Sequence, residues 1–317
     1  MTEPENAILA LLGCGNLGAA ILDSLVAAPS GEEDPVRFTR FLASTRSESS
    51  EQRLKERFSQ HSDKVVVSRA GNVKAAQDAD IVILAVDPAV VQEVLTEPGI
   101  REALANKLLI SVAAGWTRQK LETTLYGSET TADNTEGRAW VARTLPNIAA
   151  LVSQSLTAIE ISEPALPAHH LSITESIFRK IGKTVQIAPK LMNGITALGG
   201  STPAFFAVIC DALIDAAVAV GVPRATAHIV VFQAMQGTAA LLQSGVHPAL
   251  LKDQGTSPEG CTIGGLMVME EAGVRGHIGR ALRRPLLLLA TWTVTLMSTI
   301  PGTRSPKTRV STRLSTI

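Results

Sequence analysis

Gly13, Gly15 and Gly18 stand between an apolar run and an apolar helical pattern, a setting in which glycines hold phosphate. The run is 7–12 (AILALL), the kind a buried parallel strand shows, and Ala20, Ile21 and Leu25 continue at helical spacing. In G-x-G-x-x-G the first glycine permits a tight turn, the second lets backbone approach a pyrophosphate, and the third lets helix pack on strand. Free amides at the helix start, with its dipole behind them, attract an anion. The bland alternative is a glycine turn that merely joins two packed elements.

A second stretch, 256–265 (TSPEGCTIGG), has the means to grip a smaller anion. Pro258 fixes a turn, Gly260 loosens the backbone, and Thr262 falls at or near the start of a helix running through 266–271. Hydroxyls of Ser257 and Thr262, with the first N–H groups of that helix, form a compact anion site. An ordinary N-cap would use the same residues. Asp211 and Asp215, four apart on one helix face, are either an acid–base or metal pair or the wet edge of a core helix. Cys14, Cys210 and Cys261 lack metal-ligand spacing and are odd in number, which points to no metal, no disulfide framework and a reducing compartment.

Strands alternating with helices must position the first set. A second strand over 37–43 ends in Ser44, Thr45 and Arg46, where hydroxyls and a guanidinium suit a ribose 2′-phosphate. Glu32, Glu33 and Asp34 precede that strand, on the wrong side for a ribose contact, so NADP is expected over NAD. A helix over 48–58, strands over 65–67, 80–86 and 107–112, and helical spacing over 89–95 complete a doubly wound parallel sheet. Ligands of such sheets lie outside the strands' carboxyl ends. That rule gathers Asn72, Ala85, Val86, Asp87, Pro88, Ala113, Ala114 and Gly115 beside the glycine loop.

Past residue 163 the texture becomes helical. A helix over 169–181 and a last strand over 184–188 lead to a helix start at 191–194, then a break at 199–203 (GGSTP). The stretch 204–220 is apolar almost all round, which predicts a buried helix. Helices over 225–243 and 248–253 follow. Two long apolar helices in succession need partners, in each other and in a second subunit.

Composition sets the outer bounds. With 317 residues, two domains are expected; 45% hydrophobic and 18% charged residues supply a sizeable core. Lys plus Arg equals Asp plus Glu at 29 each, so there is no electrostatic footprint for nucleic acid. The acidic opening residues predict no signal or transit peptide, and hence a cytoplasmic protein. Apolar runs such as 286–290 fall short of the roughly 20 residues a bilayer span needs, so no membrane partner is expected.

With its motifs in this order the chain resembles the Δ1-pyrroline-5-carboxylate reductase family, from about residue 8 to 282. The resemblance rests on GCGNLG (13–18), AVDP (85–88), SVAAG (111–115), RTLPNIAALV (143–152), GGSTPAF (199–205) and HPALLKDQGTSPEGCTIGG (247–265). It implies an α/β fold: a Rossmann-like dinucleotide domain over 1–188, then an all-helical substrate and dimerisation domain over 189–284. The implied reaction is hydride transfer from NADPH, or NADH, to the carbon of a cyclic imine, giving L-proline. The implied assembly is a homodimer or a larger ring of dimers. Carried over by position, Gly13, Gly15, Asn16, Leu17, Gly18, Ser44, Asn72, Ala85, Val86, Asp87, Pro88, Ala113, Ala114 and Gly115 are implied to hold the cofactor, beside the Thr45 and Arg46 read from the strand end above. Ser257, Cys261 and Thr262 bind the substrate carboxylate, with the Thr262 hydroxyl near the ring nitrogen and Ser257 as its catalytic companion.

Several positions depart from that pattern. Thr202 interrupts the family's G-S-G-P, Asp87 stands where Lys is commoner, and Glu259 replaces the first of two glycines. Residues 285–317 differ most: Pro285 is expected to stop a helix, and an apolar then basic tail follows. That tail is either an altered end of the coding sequence or a membrane-surface or partner-docking segment. Two other functions share the cofactor site. A hydroxyacid-type dehydrogenase would need a catalytic lysine, with Lys190 and Lys252 as candidates. A non-catalytic NADP-binding scaffold would follow if Asp87, Glu259 and the tail abolished turnover.

Overall fold

In the computed structural model, residues 5–28, 31 and 34–298 are described. Glu32, Glu33 and the tail beyond 298 lie outside them. The chain runs β1 (Glu5–Leu12), α1 (Asn16–Ala27), β2 (Val36–Thr45), α2 (Glu48–Arg57), β3 (Val65–Arg69), α3 (Asn72–Asp78), β4 (Ile81–Leu84), α4 (Val91–Leu95), α5 (Ile100–Ala103) and β5 (Leu108–Ser111). It continues through α6 (Arg118–Tyr126), β6 (Trp140–Leu145), β7 (Ser155–Glu160), α7 (Ala168–Arg179) and β8 (Gly182–Ile187). Then come α8 (Met192–Ile195), α9 (Thr202–Ala219), α10 (Arg224–Gln243), α11 (Pro248–Gln254), α12 (Cys261–Glu271) and α13 (Val274–Ser298).

The strands form a single sheet ordered β3-β2-β1-β4-β5-β6-β7-β8, parallel except for β6 against β7. Strand order reverses between β1 and β4, the switch point where ligands of such sheets bind. The continuous apolar runs follow from burial on both faces. Leu9, Leu11, Ile83 and Ile110 pack into one core with α1 and α7 residues such as Ile21, Leu22 and Phe178. Their neighbours Ala10, Leu12, Leu84 and Leu109 pack into a second core, against Ala76, Val94 and Leu121. Strands β6 and β7 and helices α3, α5 and α6 are additions to what the sequence predicts.

The second half shows four differences from expectation. Residues 199–203 do not break the chain: Thr196–Ser201 form a π-helical turn joining α8 to α9. Helix α9 is not buried within the protomer, where only Cys210 and Ile214 are covered. Val208, Leu213, Phe232 and Met267 are among the apolar side chains left open on α9, α10 and α12. An all-round apolar helix needs surroundings on every side, and one protomer supplies one of them. Asp211 and Asp215 are exposed, and Asp215 pairs with Arg224 at 2.7 Å, so they build no acid–base pair.

Pro285 lies inside α13 rather than ending it. A missing amide removes the one bond to the Ala281 carbonyl, and good helix formers on both sides carry the helix on. Two helical stretches, Pro189–Ala219 and Arg224–Gln243, reach the length and mean hydropathy (1.7 and 1.2) of a membrane span. That differs from the expectation of short apolar runs only.

Candidate active site

The glycine loop turns where β1 ends. Gly13 has φ +79°, and a Cβ there would sit 2.5 Å from the Val86 side chain. A Cβ on Gly18 would lie 2.9 Å from the Gly13 carbonyl oxygen, the close approach that seats α1 on its strand. Gly15 differs: nothing stands within 4 Å of its missing Cβ. Open space above the second glycine is what a pyrophosphate approaching backbone requires. Ala19 N donates to Gly15 O at 2.9 Å, so the amides of Asn16, Leu17 and Gly18 precede the first intrahelical bond. No side chain caps them. The loop thus has the free amides and the open space that an anion cradle requires.

Above the loop opens a cleft of about 510 Å³ lined by Gly13, Cys14, Gly15, Thr45, Arg46, Ser47, Ser50, Ala85, Val86, Asp87, Ala89 and Val90. Burial, with the Asp23 charge adding, pushes the Cys14 thiol up to about 12, so it adds no negative charge beside the glycine loop. Arg46 is exposed at the rim. Ser47 caps α2, its Oγ accepting from Ser50 N at 3.2 Å. Arg46, two hydroxyls and a helix N-terminus therefore converge where β2 ends. Ser47 and Ser50 are not among the residues expected from sequence, although a serine directly after the strand with Glu48 and Glu51 in the first helical turn is itself an N-cap signal.

Ser44 is tied to the loop from behind. Its carbonyl accepts from Gly13 N at 3.1 Å, and its Oγ donates to Asn72 Oδ1 at 2.8 Å. Asn72 Nδ2 in turn donates to Glu97 Oε2 at 3.1 Å, a contact the sequence did not reveal. Asp87 caps the turn Pro88–Val90, its Oδ1 accepting from Ala89 N at 2.8 Å. Trp116 Nε1 holds the Pro88 carbonyl at 2.8 Å. Ala113, Ala114 and Gly115 follow β5, the neighbour of β4, with Val112 N donating to Leu84 O at 3.1 Å. They share the sheet's carboxyl edge with the cleft without lining it.

The second set sits at the start of α12. Gly260 is the N-cap and makes no side-chain cap, because it has none to offer. Gly260 N donates to Ser257 O at 3.1 Å and Gly264 N reaches back to Gly260 O at 3.4 Å. The amides of Cys261, Thr262 and Ile263 thus lie ahead of the helix's own bonding. Ser257, Cys261 and Thr262 are all exposed. A Cβ at 260 would fall 2.5 Å from Ser257 Oγ, a hydroxyl that can rotate aside, and 3.0 Å from the Ser257 carbonyl oxygen, so a side chain there would crowd this turn. Glu259, with φ +56°, is held in the left-handed region that glycine favours.

Within the protomer the two sets are not brought together: the cleft is lined wholly by the dinucleotide domain, and α12 packs on α13. Lys252 is engaged by Asp253, and Lys190 is exposed.

Comparison with known proteins agrees with both halves. Residues 189–286 match a family described as pyrroline-5-carboxylate reductase dimerisation, and 8–115 match NADP oxidoreductase, coenzyme F420-dependent. A pyrroline-5-carboxylate reductase of Lophium arboricola is 42% identical, over 89% of this chain and 92% of its own length. The one from Neurospora crassa is 35% identical, over 87% and 90%. A pyrroline carboxylate reductase of Plasmodium falciparum, solved with NADP bound, superposes with a TM-score of 0.75 at 23% identity, covering 92% of this chain and 99% of that one.

Proposed function

The chain belongs to the pyrroline-5-carboxylate reductase family, NAD(P)H-dependent oxidoreductases that reduce 1-pyrroline-5-carboxylate to L-proline, and from that premise we propose how its own residues divide the work. The glycine loop holds the pyrophosphate on the amides of Asn16, Leu17 and Gly18. Arg46, with Ser47 and Ser50, receives the 2′-phosphate, so NADPH is preferred to NADH. Ala85, Val86, Asp87 and Pro88, with Ala113, Ala114 and Gly115, shape the nicotinamide end at the carboxyl edge of β4 and β5. Bound there, a reduced nicotinamide supplies a hydride.

The amides of Cys261 and Thr262, with Ser257, take the substrate carboxylate at the N-terminus of α12. The Thr262 hydroxyl sits at the ring nitrogen and orients it. A protonated imine is already an electrophile, and its charge disappears as the hydride reaches carbon. The protein therefore has to position two partners more than it has to move a proton. No histidine or glutamate is required as a general base.

One observation carries this reading: a cleft of about 510 Å³ opens over the glycine turn that leads into the uncapped start of α1, and a second uncapped helix start, at Cys261, stands exposed behind a glycine turn of its own. Two anions need two such sites. The exposed apolar faces of α9, α10 and α12, in the region that matches the dimerisation family, support a homodimer in which a second copy helps bring the two sites together. Cover of the Pro189–Ala219 and Arg224–Gln243 faces by a second copy, rather than by lipid, goes with a cytoplasmic protein with no membrane partner, and larger rings of dimers are compatible with it. Purified chain is assayed for oxidation of NADPH on addition of the imine, and of NADH under the same conditions. Imine-dependent oxidation, faster with NADPH, supports the assignment; a folded preparation that binds NADPH and shows none defeats it.

A further inference from the structure

Asn147 lies in the turn after β6, at the edge of the dinucleotide domain, and every polar group it carries is committed. Its main-chain N donates to Ser155 Oγ at 3.0 Å. Its side-chain Oδ1 accepts from Ala149 N at 3.1 Å, capping the turn Ile148–Val152. Its main-chain carbonyl accepts from Ala150 N at 3.1 Å, which leaves the amide NH₂, and Nδ2 donates to the Gly199 carbonyl at 2.9 Å, 52 residues on. Gly199 belongs to the π-helical turn Thr196–Ser201 that opens the dimerisation helices.

The identity of residue 203 explains why a carbonyl is on offer there. In an α-helix the Gly199 carbonyl accepts from the amide four residues later. That residue is Pro203, which has no amide hydrogen. The α-helical bond cannot form, the helix widens into a π turn, and Asn147 delivers a donor from the other domain. Widened turns of this kind recur at functional sites.

We propose that the Asn147–Gly199 bond is a latch that fixes the angle of the dimerisation helices on the dinucleotide domain, and that Asn147 is a positioning residue for hydride transfer. This rests on the reading of the Thr262 turn as the substrate grip. The apolar contact at the joint is small: Ala158, Ile187 and Met192 are its buried members, with Leu145 and Ile195 against them. Apolar contact is non-directional and tolerates rotation. A hydrogen bond of fixed geometry does not. The latched turn packs on α13 and α13 packs on α12, so a change of angle at residue 199 moves Cys261 and Thr262 as a unit.

Asn147→Asp isolates the latch. It keeps an oxygen for Ala149 N and exchanges the donor for a second oxygen facing the Gly199 carbonyl. The affinity for NADPH, read by fluorescence titration, is expected to stay within about twofold, because the glycine loop is untouched. The value of kcat is expected to fall about tenfold or more, since misplacement of about 1 Å costs on the order of a hundredfold. The primary isotope effect with deuterated NADPH should rise as hydride transfer becomes more rate-limiting. In solution scattering, the profile of the assembled variant should broaden as the angle is released. Pro203→Ala added to Asn147→Asp returns an amide to the Gly199 carbonyl from within the helix. It should restore Tm and leave kcat low.

Recovery of kcat together with Tm in the double variant would overturn the proposal, because a satisfied carbonyl would then suffice. So would an Asn147→Asp variant with unchanged kcat and an unchanged scattering profile. A wild-type chain without imine-dependent turnover would defeat the functional reading instead, and the scattering comparison would still decide whether the latch exists.

Discussion

Ser44 and Asn72 are joined by a 2.8 Å hydrogen bond in which the serine hydroxyl donates, while the same serine's carbonyl accepts from Gly13. The end of β2, the start of α3 and the glycine loop are thereby one hydrogen-bonded unit, with Glu97 holding the far side of the Asn72 amide. On the proposed cofactor site this unit carries the ribose and pyrophosphate contacts together, and its loss should be felt by the cofactor before the imine.

Asn72→Ala breaks both side-chain bonds of that unit. NADPH affinity should fall about tenfold, the scale of one or two lost part-buried hydrogen bonds. The KM for the imine should move little. Titration of NADPH fluorescence beside steady-state kinetics separates the two.

Arg46 and the α2 cap should set cofactor choice. Arg46→Ala is expected to reduce the NADPH-to-NADH preference by about tenfold or more, the value of a charged hydrogen bond to phosphate. The ratio of kcat/KM for the two cofactors measures it. An unchanged ratio would move the 2′-phosphate elsewhere.

Thr262→Val removes a hydroxyl and leaves the amides of α12 in place. kcat/KM for the imine should drop by about a hundredfold, the range seen when one positioned donor is lost, with NADPH affinity unchanged. Equal losses in both would contradict the division of labour between the two helix starts.

Glu259 has φ +56°, which costs a residue with a Cβ on the order of 1 kcal/mol. Glu259→Gly relieves it and removes a carboxylate from beside an anion site. A rise of a few degrees in Tm, about what that energy gives, and a lower KM for the imine are expected.

His170 gives the pH prediction. Burial, with the His169 charge adding, lowers it from 6.5 to about 4. Between those values the unfolded chain holds more protons at this site than the folded one. Stability contributed here is therefore full above about pH 6.5 and is lost as pH falls toward 4. Thermal melts across that window should show a shallower acid loss in His170→Phe than in the parent chain.

Local rules made the dinucleotide half legible. Gly13 makes the turn and Gly18 the close packing that their places in the loop predict, Gly15 stands open, and the apolar runs of β1, β4 and β5 are strands because helices cover both faces. Strand β7 was missed because its residues, SLTAIE, mix polar and apolar types without a flanking turn signal, and its place comes from pairing with β6 and β8. The exposure of α9 was not legible at all, since an apolar helix does not reveal whose atoms cover it. Pro203 read as a stop; the consequence of its missing amide depends on Asn147, far off in sequence. The Ser257, Cys261 and Thr262 turn is legible as a helix start, but its separation from the cleft within one chain is not, since local pattern says nothing of what lies between distant elements.

The most direct measurement follows the hydride itself. Wild-type protein is incubated with 1-pyrroline-5-carboxylate and NADPH carrying deuterium at the transferred position, and the product is examined by mass spectrometry. The account predicts L-proline bearing one deuterium on the former imine carbon, and far less of it from Thr262→Val at equal cofactor saturation. Cofactor binding with no deuterated proline, from a folded and dimeric preparation, would contradict it.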